Sequence, residues 1–445
     1  MKRALTFCCV LLSSTALAQY QIVGYYPAWE RTVLPPSQLP MSSLTCVIDA
    51  FGWPGTDGSL QLESGIPDTS LSSIVHSAQK KILISLGGAD NAAGFDSVSV
   101  HPERRATFIQ NLLTFLSISR YDGIDIDWEE PSTAAQRDSM ISLVREIRTA
   151  FDNADSAYII TMAIPASDYS GQWYNFTALL PSIDWFNALT YDYHGSWSSF
   201  AGHNAPLYAP NDQQDYSVDQ SMQYYLATRH IPANKIMLGI PFYGKLFNAV
   251  DLLEPFTSEE DLTYSDIVNM VNNRGWVYHW DADADVPYYT NGTSVITFDD
   301  STSVALKCSY AKSKQLAGVM IWELSQDVIN RSTPLFDAVS AAMSSMTNVP
   351  IVSQHYAPKD FMLFDNFPNP FNPTTVIRYQ VPMNGVVVLK VYDALGRQVK
   401  TLVNKFESSG SYSVEFDASG LSSGIYFYAI QSGRFFTVKK MVLLK

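Results

Sequence analysis

The sequence predicts an α/β protein: a (β/α)8 TIM barrel with a small α+β insertion between strands seven and eight, then a C-terminal all-β sandwich. Three observations lead there. Short apolar segments alternate with amphipathic stretches from residue 20 to about 345, the spacing of strands and crossover helices that close into a barrel. After "PFYGK" the next strand-like segment is delayed by more than one helix requires. Beyond residue 360, strand-like segments follow one another with turn residues between them and no helical stretch.

In chain order, "MKRALTFCCVLLSSTALAQY" opens with Lys2 and Arg3, runs apolar from Leu5 to Leu12 and ends on Ala16-Leu17-Ala18. That is the pattern of an export signal over residues 1–18, so the protein is expected to be secreted. The eight strands are "QIVGYYPAW", "TCVIDAFGW", "KILISLGG", "GIDIDWE", "YIITMAIPA", "DWFNALTYDY", "KIMLGIPFYG" and "GVMIWEL". Helical spacing of apolar residues marks 103–119 and 134–151. A doubly wound sheet is the weaker alternative, because no Gly-rich phosphate turn follows the first strand. The insertion covers about 246–300, and Asn291-Gly292 between two strand-like runs predicts a tight hairpin. "DADAD" (281–285) starts like a calcium loop but has Val286 and Gly292 where Gly and Glu are needed, so it is read as a polar turn. The barrel domain is assigned to 19–345, a linker to 346–358 and the sandwich to 359–445.

Aromatic residues make up 13% of the 445, and flat rings suit sugar faces as well as cores. A formal net charge of −14 argues against nucleic acid as a partner. Cys8 and Cys9 fall in the signal. Cys46 at a strand start and Cys308 on a late helix read as unlinked buried thiols.

The chemistry concentrates in "DGIDIDWEE" (122–130), which places five carboxylates in nine positions. On a strand, Asp125, Asp127 and Glu129 stand two apart and face one way, toward the interior of a barrel. Three acids so close cannot all stay ionised cheaply, so at least one should hold a proton near neutral pH. That is what general-acid catalysis needs at the mouth of a cleft. Asp122 is out of phase and is expected to pin the start of the strand. An acidic ladder neutralised by Lys or Arg is the bland alternative, but no basic residue stands in equivalent phase on the neighbouring strands.

"DGIDIDWE" resembles the DxxDxDxE signature of glycoside hydrolase family 18, the chitinases and their relatives. "AFG" (50–52), "SLGG" (85–88), "LTYD" (189–192), "GIPFYGK" (239–245) and "GVMIWEL" (318–324) resemble further strand motifs of that family, in the right order. The resemblance implies a catalytic set of Glu129, Asp127, Asp125 and Tyr191. Glu129 would be general acid and then base, and Asp127 would turn from Asp125 to orient the substrate's acetamide. Asp125 would take up the balance of charge, and Tyr191 would steady the intermediate. The acetamide itself is the nucleophile in this family, so neither metal nor cofactor is implied. Trp322 would floor the reacting sugar. Tyr25, Phe51, Gly52, Gly87, Gly88, Glu130, Met162, Leu189, Asp192, Trp197, Tyr243 and Lys245 complete the candidate substrate-binding set, with Trp53 a further aromatic near the cleft.

Three positions depart from the family pattern. Ala89 follows SLGG where many members have Trp, Glu130 replaces the common Tyr after the acid, and Lys245 replaces Arg. The implied activity is a retaining chitinase acting as a monomer on N-acetylglucosamine oligosaccharides. An endo-β-N-acetylglucosaminidase and a non-catalytic lectin on the same fold remain alternatives. In the tail, "NFPNPFNPTT", "VYDALGRQVKTLVN", "SSGIYFY" and "KKMVLLK" resemble the sorting domain of type IX secretion. That resemblance implies the type IX machinery as a partner. A carbohydrate-binding sandwich is the competing reading.

Overall fold

The computed structural model describes residues 20–444 except 90, 155–156, 210–215, 273–274, 345–360, 365, 367–368, 382–384, 408–409 and 434. The signal segment and the linker expected from the sequence lie outside the described residues. The chain divides into two compact units, residues 1–347 and 348–445.

In the first unit, eight strands form a closed parallel barrel: β1 (Gln21–Pro27), β2 (Cys46–Pro54), β3 (Lys81–Gly87), β4 (Gly123–Asp127), β5 (Ile159–Ile164), β6 (Trp185–Ala188), β7 (Ile236–Pro241) and β8 (Gly318–Trp322). Each pairs with the next, and β1 closes the ring against both β2 and β8. Alternation along the strands sorts side chains into two layers. Val23, Tyr25, Cys46, Ile48, Leu83, Met237 and Met320 cluster together in one, with Tyr191 and Tyr243. Ile22, Val47, Ile84, Ile124, Ile126 and Ile160 belong to the other, packed with the helices.

The helices follow from local sequence. Pro102–Ser119 starts on a proline, buries Arg105, Phe108, Ile109, Leu112, Phe115 and Leu116 at helical spacing, and stops at Arg120, whose φ is +60°. Ala134–Ala154 buries Met140, Leu143, Val144, Ile147 and Phe151 in the same way. Ser301–Ser313 is capped by Asp300, whose side chain accepts the N–H groups of Thr302 and Ser303. One expected crossover helix is missing. Between β1 and β2 there are only short 3-10 turns, Ala28–Glu30 and Pro36–Gln38. Pro35, Pro36 and Pro40 withhold the N–H groups an α-helix would need there.

After β7 the insertion forms a five-stranded antiparallel sheet that includes Tyr243–Phe247, Glu259–Thr263, Val286–Thr290 and Val295–Thr297. The last two make the hairpin around Asn291-Gly292, where Gly292 takes φ +87°. The acidic 281–285 stretch is a turn in which Asp281 accepts the N–H groups of Asp283 and Ala284 and pairs with His203 at 2.9 Å. Asp122 pins the start of β4, holding Lys81, His76 and the Ile82 N–H, each at 2.9 Å. Cys46 and Cys308 are both buried and free.

The second unit has a three-stranded and a four-stranded antiparallel sheet whose facing apolar residues, among them Ile377, Tyr379, Leu389 and Tyr428, form one core. A strand at Gln398–Glu407 goes beyond those read from the sequence. No helix among the described residues is long and apolar enough to cross a membrane.

Candidate active site

Ser85, Asp125 and Thr161 sit level across β3, β4 and β5. That register brings four neutral donors onto Asp125. Thr161 Oγ1 donates at 2.6 Å and Asn187 Nδ2 at 3.0 Å to one oxygen, while Tyr25 OH at 2.6 Å and Ser85 Oγ at 2.9 Å donate to the other. Asp125 is fully buried, and burial lifts its carboxyl above the usual range even against those four bonds.

One step along, Asp127 is 4% exposed. Burial first, then the charges of Glu129 and Asp125, hold its carboxyl well above the ordinary range. Its side chain hydrogen-bonds to Glu129, and its Oδ1 has no partner among the described residues. Asp127 is therefore already turned toward Glu129, and the four donors on Asp125 come from other strands.

β4 ends at Asp127, so Glu129 lies just past the ladder rather than on the strand that the sequence suggested. The alternation nonetheless persists. Trp128 is 2% exposed and stacks on Phe95 at 5.2 Å in the layer that holds Ile124 and Ile126, which leaves Glu129 on the opposite side, toward the cleft. Gly87 makes this possible: at φ +123°, a Cβ there would lie 2.0 Å from the Asp127 carbonyl oxygen. The Gly88 N–H then donates to that same oxygen at 2.9 Å.

These groups open on a cleft of about 940 Å³ lined by Asp127, Glu129, Glu130, Tyr191 and Asp192 with Tyr25, Phe51, Trp53, Gly88, Leu189, Trp197 and Trp322. Phe51 stacks on Trp322 at 5.9 Å, and Tyr25 meets it edge-on at 5.3 Å. Tyr191 is buried, and burial followed by the Asp127 charge raises its hydroxyl well above the ordinary range, so it stays a donor.

Other sequence candidates sit behind the wall. Tyr243 OH donates to Asp192 Oδ1 at 2.7 Å. Lys245 is held by Asp261 at 2.6 Å, Asp192 at 3.0 Å and Glu259 at 3.5 Å. Burial alone would lower the Lys245 ammonium, yet Asp192 and Asp261 keep it above its usual value. Its Nζ lies 5.5 Å from the ring of Trp197, which is itself 65% exposed. Gly52 backs the short strand Leu60–Leu62. Met162 does not reach the cleft: Thr161 carries the inward phase of β5, so Met162 points into the outer layer and is 1% exposed.

Sequence reasoning missed Trp29, Glu63, Asn91, Ser167 and Ser170 on the cleft, all from segments beyond strand ends. It also missed Thr161 and Asn187, which no motif marks.

A family model described as glycosyl hydrolases family 18 matches residues 21–327, and one described as a secretion system C-terminal sorting domain matches 365–444. The chain is 32% identical over 275 residues to probable chitinase 2 of Drosophila melanogaster, covering 56% of each protein. It is 28% identical over 315 residues to an endochitinase of Manduca sexta, covering 62% of this chain and 57% of that one. It thus spans little more than half the length of these curated relatives. Among solved structures it resembles the Group IV chitinase of Ostrinia furnacalis in complex with allosamidin, at 24% identity and TM-score 0.69, over 73% of this chain and 98% of that chain. A family 18 N-acetylglucosaminidase from Paenibacillus barengoltzii matches at 25% identity and TM-score 0.66, over 73% and 99%. At such identities these structures speak to the fold, and the family model speaks to descent. With its barrel matched almost end to end, the chain belongs to glycosyl hydrolase family 18.

Proposed function

We propose that this protein is a secreted chitinase that cleaves β-1,4 links between N-acetylglucosamine units with retention, using the substrate's own acetamide as nucleophile. The observation that carries the reading is the carboxyl series at the barrel mouth: Asp125 saturated by neutral donors, Asp127 turned to Glu129, and Glu129 facing an aromatic-floored cleft. Glu129 protonates the glycosidic oxygen and then takes a proton from the attacking water. Asp127 receives the acetamide N–H at its unpaired oxygen, which aims the carbonyl oxygen at the anomeric carbon. Tyr191 donates to the acetamide oxygen side as charge develops. Asp125 is a positioning residue that holds the series in register. Trp322 supplies the flat surface beneath the reacting ring.

The test is Glu129→Gln. An amide cannot donate the proton, so turnover of N-acetylated oligomers should fall by roughly 10²–10⁴-fold while oligomer binding persists. Near-normal turnover would remove Glu129 from the role. Products from chitin oligomers and from a high-mannose glycoprotein, identified by mass spectrometry, distinguish a chitinase from a glycan-releasing enzyme.

The C-terminal unit is proposed to direct export through the type IX machinery. Deleting residues 359–445 should leave active barrel in the periplasm of a host carrying that machinery. Normal appearance of the truncated enzyme in the medium would refute the sorting role.

A further inference from the structure

The cleft is unusually one-signed. No Lys, Arg or His occurs among the described residues that line it, while five carboxylates do: Glu63, Asp127, Glu129, Glu130 and Asp192. Three of the five are accounted for. Asp127 and Glu129 belong to the proposed catalytic series, and Asp192 is paired with Lys245, which it shares with Asp261 and Glu259, and bonded by Tyr243. Two are left over. Among the described residues, exposed Glu130 makes no hydrogen bond or ion pair, and the side chain of Glu63 accepts only the N–H of Ser64.

A neutral sugar laid over either carboxylate would strip water from a charge and offer no countercharge, which costs affinity. A cationic sugar reverses the sign of that effect. The site is already built for a sugar chain on independent grounds: stacked aromatics floor it, and the deeply buried Asp127 lines it with an oxygen that has no hydrogen-bond partner among the described residues. The reacting unit must keep its acetamide, since that group is the proposed nucleophile, so any cation belongs to the neighbouring units. Glu63 adjoins that floor, its N–H donating to the Phe51 carbonyl at 2.9 Å, and Glu130 follows the acid directly.

We propose that the cleft is adapted to partially deacetylated chitin, with Glu130 and Glu63 pairing with the ammonium groups of glucosamine units that flank the reacting N-acetylglucosamine. The formal net charge of −14 would also draw such a polycation toward the protein. This inference rests on the family 18 hydrolase reading and names the substrate within it.

The experiment compares kcat/KM for fully acetylated oligomers with that for oligomers of equal length carrying glucosamine, at low and high salt. Products are sequenced to show which unit adjoins the cut. The wild-type protein should favour the glucosamine-containing oligomers through KM, and should lose that preference at high salt as the charges are screened. Glu130→Gln and Glu63→Gln should each lower the preference roughly two- to fivefold, the range of an exposed ion pair. Glu130→Asp should retain part of it. Taking a ratio of two substrates on one variant cancels any effect of Glu130 on its neighbour Glu129. A ratio that moves with neither substitution nor salt, or a wild type that prefers the fully acetylated oligomers, overturns the proposal. Failure of the wild type to cut any N-acetylated oligomer would sink the hydrolase reading instead. Calorimetric binding of both oligomers to the Glu129→Gln protein still reads the preference in that event, and equal affinities would sink the inference too.

Discussion

Two aspartates on opposite faces of the barrel wall meet full burial in opposite ways. Asp125, inside, and Asp49, on the helix-facing side of β2, are both at 0% exposure. Asp49 is gripped by Arg31 through both oxygens at 2.7 and 2.8 Å, and accepts the Tyr121 hydroxyl at 2.6 Å. Asp125 has four donors and no cation among them. An arginine beside Asp125 would fix its charge and, through it, the protonation of the whole series. Neutral hydroxyl and amide donors hold it in place while leaving charge free to redistribute along Asp125, Asp127 and Glu129. Where a carboxylate only ties walls together, a cation serves; in the mechanism proposed above, a cation on Asp125 would obstruct the carboxyl series that it holds in register.

Reciprocal substitutions break this comparison most sharply. Asp125→Asn should cost roughly a hundredfold in kcat, toward the lower end for an acid–base system, with little loss of melting temperature. Asp49→Asn should do the reverse, lowering unfolding free energy by about 3 kcal/mol while kcat holds, because the amide offers Arg31 one neutral acceptor and leaves Asp68 at 3.4 Å as its countercharge. Denaturant melts and initial rates on both variants decide the matter, and equal behaviour of the two would erase the distinction.

A smaller effect separates burial with a cation from burial without one. Glu323, next to the Trp322 floor, is 2% exposed, and among the described residues its side chain is bonded only by Ser325, at 2.6 and 2.8 Å. Burial pushes its carboxyl up to about 7 from an ordinary 4.5. Between those values the native state keeps a proton that the unfolded chain has released, so this group erodes stability as pH rises through that window. Glu323→Gln should therefore flatten the decline between mildly acidic and mildly alkaline pH by about 1–2 kcal/mol, one Ser325 hydrogen bond being lost in exchange. A melting-temperature profile parallel to that of the wild type would show that the buried charge is compensated elsewhere.

The features legible from sequence are those written in a local period. Two-residue alternation marked the barrel strands and put Asp125, Asp127 and Glu129 on one side, and Asn291-Gly292 marked its hairpin. What escaped depends on closure. Thr161 and Asn187 carry no motif and become donors only when β5 and β6 come round beside β4. Lys245 reads as a cleft residue until the insertion folds Glu259 and Asp261 over it. Met162 differs by a single step of phase, which a strand read alone does not fix. The missing first crossover helix was written in three prolines that the barrel pattern overrode.

The two thiols have a practical consequence. Cys46, inside the barrel, is 1% exposed and Cys308 is 0% exposed. Burial pushes the Cys308 thiol up to about 12 and that of Cys46 well above its usual value. Neither is nucleophilic in the native state, so alkylating reagents and foreign disulfides find nothing to attack until the wall opens. The rate at which an excess of such a reagent labels the folded protein therefore times the barrel's own opening, with no engineered probe. A barrel built this way can pass between reducing and oxidising surroundings without these two thiols changing.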